Sequence, residues 1–360
     1  MSLRFKEKDH IQKLEKINAE VVFEILKKRG REPDSEQRRI RKMGKMGNKI
    51  ITVHILFISC VLFFISSLSF GNEIPLTLIY SSNTLAEVAP CGCIEAGNAG
   101  GISKRSHYIN TVRDDGKKVL LLDGGDALAI GLPGNERERQ KARKRAEFIL
   151  KLYRKMGYDA VNVGDTDLML GLQYLRTLQK HSPVPLLSTN LKDKKTGKTL
   201  FKPYLVKEIY GLKVGIIGLI SGSIQPYMLD KKGGYVAEDP VKAATNTMNG
   251  PLLDCDIIIA LAHLNHSEIE SLAQKVPKIS IIIGGHDRAY MDAKMLNSCL
   301  WVQTDAFGFQ IGRLDVRWVK GSSDFQHENV LTVLHPEMKP DPEIEEMIRS
   351  SGGILKRPIP

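Results

Sequence analysis

Val119-Leu120-Leu121-Leu122-Asp123-Gly124-Gly125-Asp126 is a continuous apolar run that breaks into two glycines and a carboxylate. A run this short, bounded by a glycine pair, reads as a strand buried on both faces, with the carboxylate at its C-terminal mouth. In an open α/β sheet ligands collect at that mouth. Alone the pattern is weak, because an Asp after a strand is commonly a turn or cap residue. Its weight comes from three later stretches with the same grammar: Ala160-Val161-Asn162-Val163-Gly164-Asp165, Ile257-Ile258-Ile259-Ala260-Leu261-Ala262-His263 and Ile281-Ile282-Ile283-Gly284-Gly285-His286. Each strand ends in a candidate metal ligand, two of them Asp and two His.

Around these strands the periodicity predicts a first strand over 76–80, a basic amphipathic helix over 136–156, and a further helix over 171–181. Strands follow over 185–191, 204–209 and 213–220, the last two joined by Tyr210-Gly211 as a hairpin. Asp239-Pro240 opens a helix expected to reach residue 253, and another helix over 267–275 stands between the two His-ended strands. Strands over 301–304 and 310–319 are expected to finish the sheets. The remainder, 336–360, carries five prolines from Pro336 onward and reads as a tail with one short helix over 342–350.

The net charge of +11 invites a nucleic-acid reading, but its origin is local. Basic clusters lie at Lys27-Lys28-Arg29 and Arg38-Arg39-Ile40-Arg41-Lys42, with another on the 136–156 helix, and none has interleaved aromatics. No nucleic-acid partner is expected. Residues 50–70 contain no Asp, Glu, Lys or Arg and match the ~20 residues that cross a bilayer. Lys and Arg precede this run and the next basic residue is Lys104, so the positive-inside bias puts the large domain outside the cytoplasm.

Two readings of the run stand side by side. Started from Met43 or Met46 it has the layout of a signal peptide, with residues 1 to about 45 upstream of the true start. Otherwise 50–71 is a signal anchor behind a basic cytoplasmic extension, 1–49, in which Ile11, Leu14, Ile17, Val21 and Ile25 recur at helical spacing. The large domain, 72–335, is then membrane-anchored and outside the cytoplasm, or secreted or periplasmic if the segment is cleaved.

Cysteine use agrees with export. Cys60 falls in the apolar run, and Cys255 and Cys299 sit at strand starts as small buried hydrophobes. Cys91-Gly92-Cys93 is different: two thiols one residue apart, ahead of a glycine-rich loop, suit a local disulfide, an additional metal ligand or a redox pair.

The order of blocks resembles the calcineurin-like metallophosphoesterases, and within them the catalytic domain of the 5'-nucleotidase and UDP-sugar hydrolase family. Beyond the ligand strands, Gly157-Tyr158-Asp159-Ala160-Val161, Lys202-Pro203-Tyr204 with Lys213-Val214-Gly215-Ile216-Ile217-Gly218, and Gly312-Arg313-Leu314-Asp315 carry the resemblance across roughly 75–319. It implies an α/β fold, a four-layer α/β/β/α sandwich of two mixed sheets. It also implies two divalent cations bridged by one Asp, here Asp126. Asp165 stands where the family has Asn, while His263 and His286 match two further ligands of the second site. This O,O,N,N set suits Mn, Zn or Fe.

The first site departs from the pattern. Ser81-Ser82-Asn83-Thr84-Leu85-Ala86 stands where the family reads Thr-Asn-Asp-x-His-Gly, Arg288 replaces the second His of Gly-His-x-His, Thr166 replaces the catalytic His, and Met169 the carboxylate that orients it. Gly100-Gly101 and Lys104-Arg105 look like the family's Gly-Gly-x-x-Arg loop.

What the resemblance implies is an exported or membrane-anchored, metal-dependent phosphoester hydrolase with one cation, the second site lost, and altered or weak activity. Asn83 and Arg288 become candidate contacts for the anion of a small phosphoester. The alternative is a catalytically inactive relative that binds a ligand or works through Cys91 and Cys93. The chain ends soon after the matched region, so nucleotide specificity is not implied.

Overall fold

The computed structural model describes residues 73–90, 99–182, 184–223, 234–322 and 325–352. The apolar run at 50–70, the basic extension before it and the Cys91-Cys93 pair lie outside the described residues. Among the described residues no helix is long and apolar enough to cross a membrane.

Two six-stranded sheets form the centre. The first contains β1 (Glu73–Ser81), β2 (Val119–Asp123), β3 (Ala160–Asn162), β4 (Leu186–Leu187), β13 (Gln310–Val319) and β14 (Phe325–Val333) in the order β14-β13-β1-β2-β3-β4. β1 to β4 run parallel, and β13 and β14 add antiparallel at one edge. The second sheet contains β6 (Tyr204–Ile209), β7 (Leu212–Ile220), β9 (Ile257–His263), β10 (Ile281–Gly284), β11 (Met291–Leu296) and β12 (Cys299–Gln303) in the order β11-β12-β10-β9-β7-β6. Its four central strands are parallel and both edges antiparallel. A small ribbon of β5 (Leu191–Asp193) and β8 (Tyr235–Ala237) stands apart from both.

Alternation along the opening stretch explains the layering. Leu120 and Leu122 face the core between the sheets, with Leu78 of β1 and Val214, Ile259 and Ile283 from the opposite sheet. Leu121, on the other face of the same strand, packs under α1 (Ile102–Asp114), α2 (Glu136–Met156) and α4 (Leu172–His181). On the far side Ile258, Ala260 and Ile282 meet α5 (Pro240–Met248) and α6 (His266–Lys275). Both faces of each central strand are thus covered, which is why the strands read as unbroken apolar runs. The result is a four-layer α/β/β/α sandwich of mixed sheets.

Three expectations are corrected. The sheets do not finish at β13: the edge strand β14 pairs along the whole of it, from Gln310 opposite Val333 to Trp318 opposite Phe325. The polar composition of Gln326-His327-Glu328-Asn329 suits an exposed edge and hides the strand from an apolar pattern. α5 stops at Met248 rather than near 253, because Asn249-Gly250-Pro251 follows and Pro disfavours helix in the residue before it. The strand expected over 185–191 is two separate pieces, β4 and β5, in different sheets. The tail carries its expected helix, α7 (Pro342–Ser350), and that helix is packed on the domain, with Ile344 fully buried among residues of α1 and α2.

Candidate metal centre

The ends of β2 and β10 meet face to face. A Cβ on Gly124 would stand 3.0 Å from the Gly284 carbonyl oxygen, so neither sheet could approach the other there with a larger residue. Gly125 takes φ 110 and passes so close to His263 that a Cβ would lie 3.2 Å from Nδ1. This turn delivers Asp126, itself at φ 57. Asp165 opens the one-turn helix α3 (Asp165–Leu168), His263 is the last residue of β9, and His286 follows the end of β10.

These side chains converge. One donor atom each from Asp165, His263 and His286 lies within 4.8 Å of the others. His263 Nε2 is 2.7 Å from Asp165 Oδ1, and His286 Nδ1 is 3.7 Å from the same oxygen. Asp126 stands on the flank, with Oδ1 3.5 Å from His263 Nε2. His263 is wholly buried and its Nδ1 has no hydrogen-bond partner.

The electrostatics are those of a charge cluster under little water. Burial alone would lower the His263 pKa, but Asp126, the bonded Asp165 and Asp167 push it up to about 9. Burial also works to raise Asp165, yet its contacts with His263 and His286 hold it well below the usual carboxylate range. Asp126 moves the other way, raised first by burial and further by the charge of Asp165. Donor atoms around one first-row cation, bound at about 2.0–2.2 Å, stand roughly 3–4 Å from one another. The 3.5 and 3.7 Å separations, the buried His263 and the mixed oxygen and imidazole donors fit such an ion, which would replace the direct 2.7 Å hydrogen bond between His263 and Asp165.

The altered positions occupy distinct places. Asn83 is fully buried at φ 51; its Oδ1 accepts the His286 backbone N–H at 3.1 Å, and its Nδ2 has no partner. Leu85 and Thr166 are buried too, and the Thr166 hydroxyl donates to the Ala129 carbonyl at 3.2 Å. Arg288 is exposed, at φ 44. Of nine described non-glycine residues with positive φ, only Tyr210 and Asn297 lie away from the loops around this centre. Such conformations cost about 1–3 kcal/mol each and gather at functional sites.

Five residues support the centre through bonds that the motif reading did not assign: Asp167, Asp123, Arg105, Tyr153 and Tyr158. The Asp167 carboxylate accepts the backbone N–H groups of Gly164, Asp126 and Leu128 at 2.9, 3.1 and 2.8 Å, pinning the two Asp-bearing loops together. Burial and the neighbouring Asp126 push its pKa up to about 8. Asp123 accepts from Ser81 Oγ, Tyr153 OH and the Gly125 N–H at 2.7, 2.9 and 3.0 Å. Arg105, which the resemblance puts in a Gly-Gly-x-x-Arg loop, lies inside α1 and is 1% exposed. It donates to the hydroxyls of Tyr153 and Tyr158 at 3.3 and 3.5 Å, rings that stack 4.0 Å apart. Nothing local in the sequence signals the bonds of Arg105 to the two tyrosines or of Tyr153 to Asp123, since the partners are 30 to 53 residues apart.

The comparisons with known proteins agree with this architecture. No protein-family model matches the chain. A 5'-nucleotidase of Vibrio cholerae is 27% identical over 277 residues, covering 65% of this chain and 48% of the relative. The snake venom 5'-nucleotidase of Crotalus adamanteus is 27% identical over 250 residues, covering 66% and 41%. Among solved structures, the calcineurin-like phosphoesterase YfkN of Bacillus subtilis superposes with a TM-score of 0.65 at 20% identity, over 79% of this chain and 98% of that one. The chain resembles the metallophosphoesterase domain of the 5'-nucleotidase family in sequence and in fold. The precursor of a Thermus thermophilus 5'-nucleotidase aligns with this metallophosphoesterase domain at a TM-score of 0.64 and 23% identity, over 77% of this chain and 58% of that one. The chain spans about half the length, or less, of the curated relatives it matches.

Proposed function

We propose that this metallophosphoesterase domain hydrolyses a phosphoester with a single divalent cation, Mn, Zn or Fe, held by Asp126, Asp165, His263 and His286. The observation that carries the proposal is the meeting of Asp165, His263 and His286 donor atoms within 4.8 Å. A cation bound there supplies Lewis-acid polarisation of a phosphoryl oxygen. Asp165 and His263 hold it, and the backbone bonds of Asp167 keep Asp126 alongside.

The residues of the altered first site handle an anion. Leu85 offers no donor to a cation, and Asn83 already accepts the His286 N–H, so the unpartnered Nδ2 is its free end. That N–H donor and the Arg288 guanidinium suit phosphoryl oxygens, the latter in fork geometry. In the reaction a water oxygen attacks phosphorus, the bond from phosphorus to the ester oxygen breaks, and the leaving alcohol takes up a proton. Thr166 cannot serve as acid or base at neutral pH in the place where the family has His, so slow turnover is part of the proposal.

Metal analysis with a panel of phosphoesters in added Mn tests it. The expected stoichiometry is near one cation per chain, abolished by His263→Ala and kept in Asn83→Ala. Two cations per chain, or none with all four side chains intact, would overturn it. One cation without turnover on any phosphoester would favour the inactive, ligand-binding alternative.

A further inference from the structure

Resting on the phosphoesterase reading, we propose that His266, held by Asp287, is the proton donor to the leaving alcohol. His266 opens α6 three residues beyond His263, so the two Cα atoms are at most about 11 Å apart. Its backbone N–H and its Nδ1–H both donate to Asp287 Oδ2, at 2.9 and 2.6 Å. Asp287 stands between His286 and Arg288, so the imidazole is fastened to the loop that carries a proposed cation ligand and a candidate phosphate contact.

The surroundings fix the ring. The turn into α6 is closed by Glu268, whose carboxylate accepts the Asn265 N–H at 3.1 Å and the Ser221 hydroxyl at 2.7 Å. The His266 ring stands edge to face with the buried Trp301 indole, centroids 4.7 Å apart. Lys294 lies over the same indole and Glu270 is one turn on along α6, but these two pair with each other at 3.5 Å. Asp287 is therefore the carboxylate that serves the imidazole.

A carboxylate only accepts, so the bond to Asp287 puts a proton on Nδ1 and leaves Nε2 as the nitrogen that exchanges one. Nε2 has no partner among the described residues, and the side chain is 48% exposed. An imidazole oriented by a carboxylate, with its other nitrogen open, is the arrangement of general acid–base catalysis. In the step, the water oxygen bonds to phosphorus as the bond from phosphorus to the ester oxygen breaks. The electron pair of that bond stays on the ester oxygen, which takes the Nε2 proton and leaves as the alcohol. The attacking water gives up its surplus proton to solvent, from which His266 is reprotonated. His266 thus supplies from another place the proton that Thr166 cannot give.

Methyl phosphate and p-nitrophenyl phosphate test this, because departing methoxide needs the proton and nitrophenolate does not. In the Mn-loaded full chain, His266→Gln should lower kcat/KM for methyl phosphate relative to p-nitrophenyl phosphate by about a hundredfold or more, the scale of general acid catalysis. Asp287→Asn, which alters a positioning residue, should move the ratio the same way by less. Added imidazole should restore part of the methyl phosphate rate in His266→Ala, and bound Mn should stay near one per chain in every variant. Turnover of p-nitrophenyl phosphate alone by the wild type, an unchanged ratio in His266→Gln, or loss of Mn from that variant would overturn the proposal and leave the hydrolase reading standing. Turnover of neither ester by the wild type would overturn both.

Discussion

At the scale of single residues, Gly164 is the most exacting position. Its φ of −94° is open to any residue, yet a Cβ there would fall 2.1 Å from Asp126 Oδ1. Gly164→Ala therefore acts through space alone: it should drive the Asp126 carboxylate aside and cut Mn affinity by at least roughly tenfold, the scale of losing a group that orients a ligand. Isothermal titration with unchanged far-ultraviolet dichroism checks this, and wild-type affinity in the variant would contradict it. Tyr153→Phe probes the buried support. It removes one of three donors from Asp123, costing about 1–3 kcal/mol in a denaturant melt and loosening the Gly125-Asp126 turn behind the cation. The contrast between the two positions shows what the sequence can and cannot disclose. Asp126, Asp165, His263 and His286 each end an apolar run and are visible locally. Arg105 and Asp123 are visible only once α1, α2 and β2 have been brought together.

At the scale of elements, the strands and helices buried on a periodic face were legible, and the polar edges were not. α2 follows its predicted bounds because its cap signals are local: the Asn135 side chain accepts the Glu138 N–H, and Gly157 closes the helix at φ 79. β14, whose exposed residues Gln326, His327 and Glu328 are polar in succession, gave no alternation to read, whereas β11 does alternate from Met291 to Met295 but is short. Besides the buried Ile344, one carboxylate anchors α7. Asp341 caps it by accepting the N–H groups of Glu343 and Ile344, and ties it to α1 by accepting from Ser106 Oγ and Asn110 Nδ2 at 2.7 and 3.1 Å. Partial burial opposes ionisation, but these donors win and hold its pKa below the ordinary value of 3.8. A carboxylate lowered on folding contributes stability that is complete above its unfolded value and is lost as pH falls through the folded one. The α7 amides should therefore lose protection from hydrogen exchange below about pH 4, ahead of the central strands. Asp341→Ala should cost about 1 kcal/mol at neutral pH and abolish that pH step. Persistence of the step in the variant would assign it to another group.

At the scale of the whole molecule, the centre belongs to both sheets. Asp126 and Asp165 come from the first and His263 and His286 from the second, so the proposed cation site would exist only while the sheets are packed on each other. That places the site's integrity under the same cooperative transition as the fold, and bound Mn should raise the melting temperature of the wild type but not of His263→Ala. The remaining question at this scale is the compartment. The apolar run 50–70 has its Lys and Arg on the N-terminal side, and the next basic residue is Lys104. From the positive-inside bias we propose that the domain is delivered across the membrane, whether the run is later cleaved or kept. A reporter placed after Val319 would sever β14 from β13, so it belongs after Pro360, beyond α7. An alkaline phosphatase fused there, which folds only where its disulfides form, should be active, and a fluorescent reporter that needs the cytoplasm should be dark. Inverting the charge asymmetry, by changing Arg38, Arg39, Arg41, Lys42, Lys45 and Lys49 to Glu, removes the cations that on this proposal hold the N-terminal side inside. Phosphatase activity should then fall severalfold, and activity that stays at the wild-type level would show that something other than these charges sets the orientation.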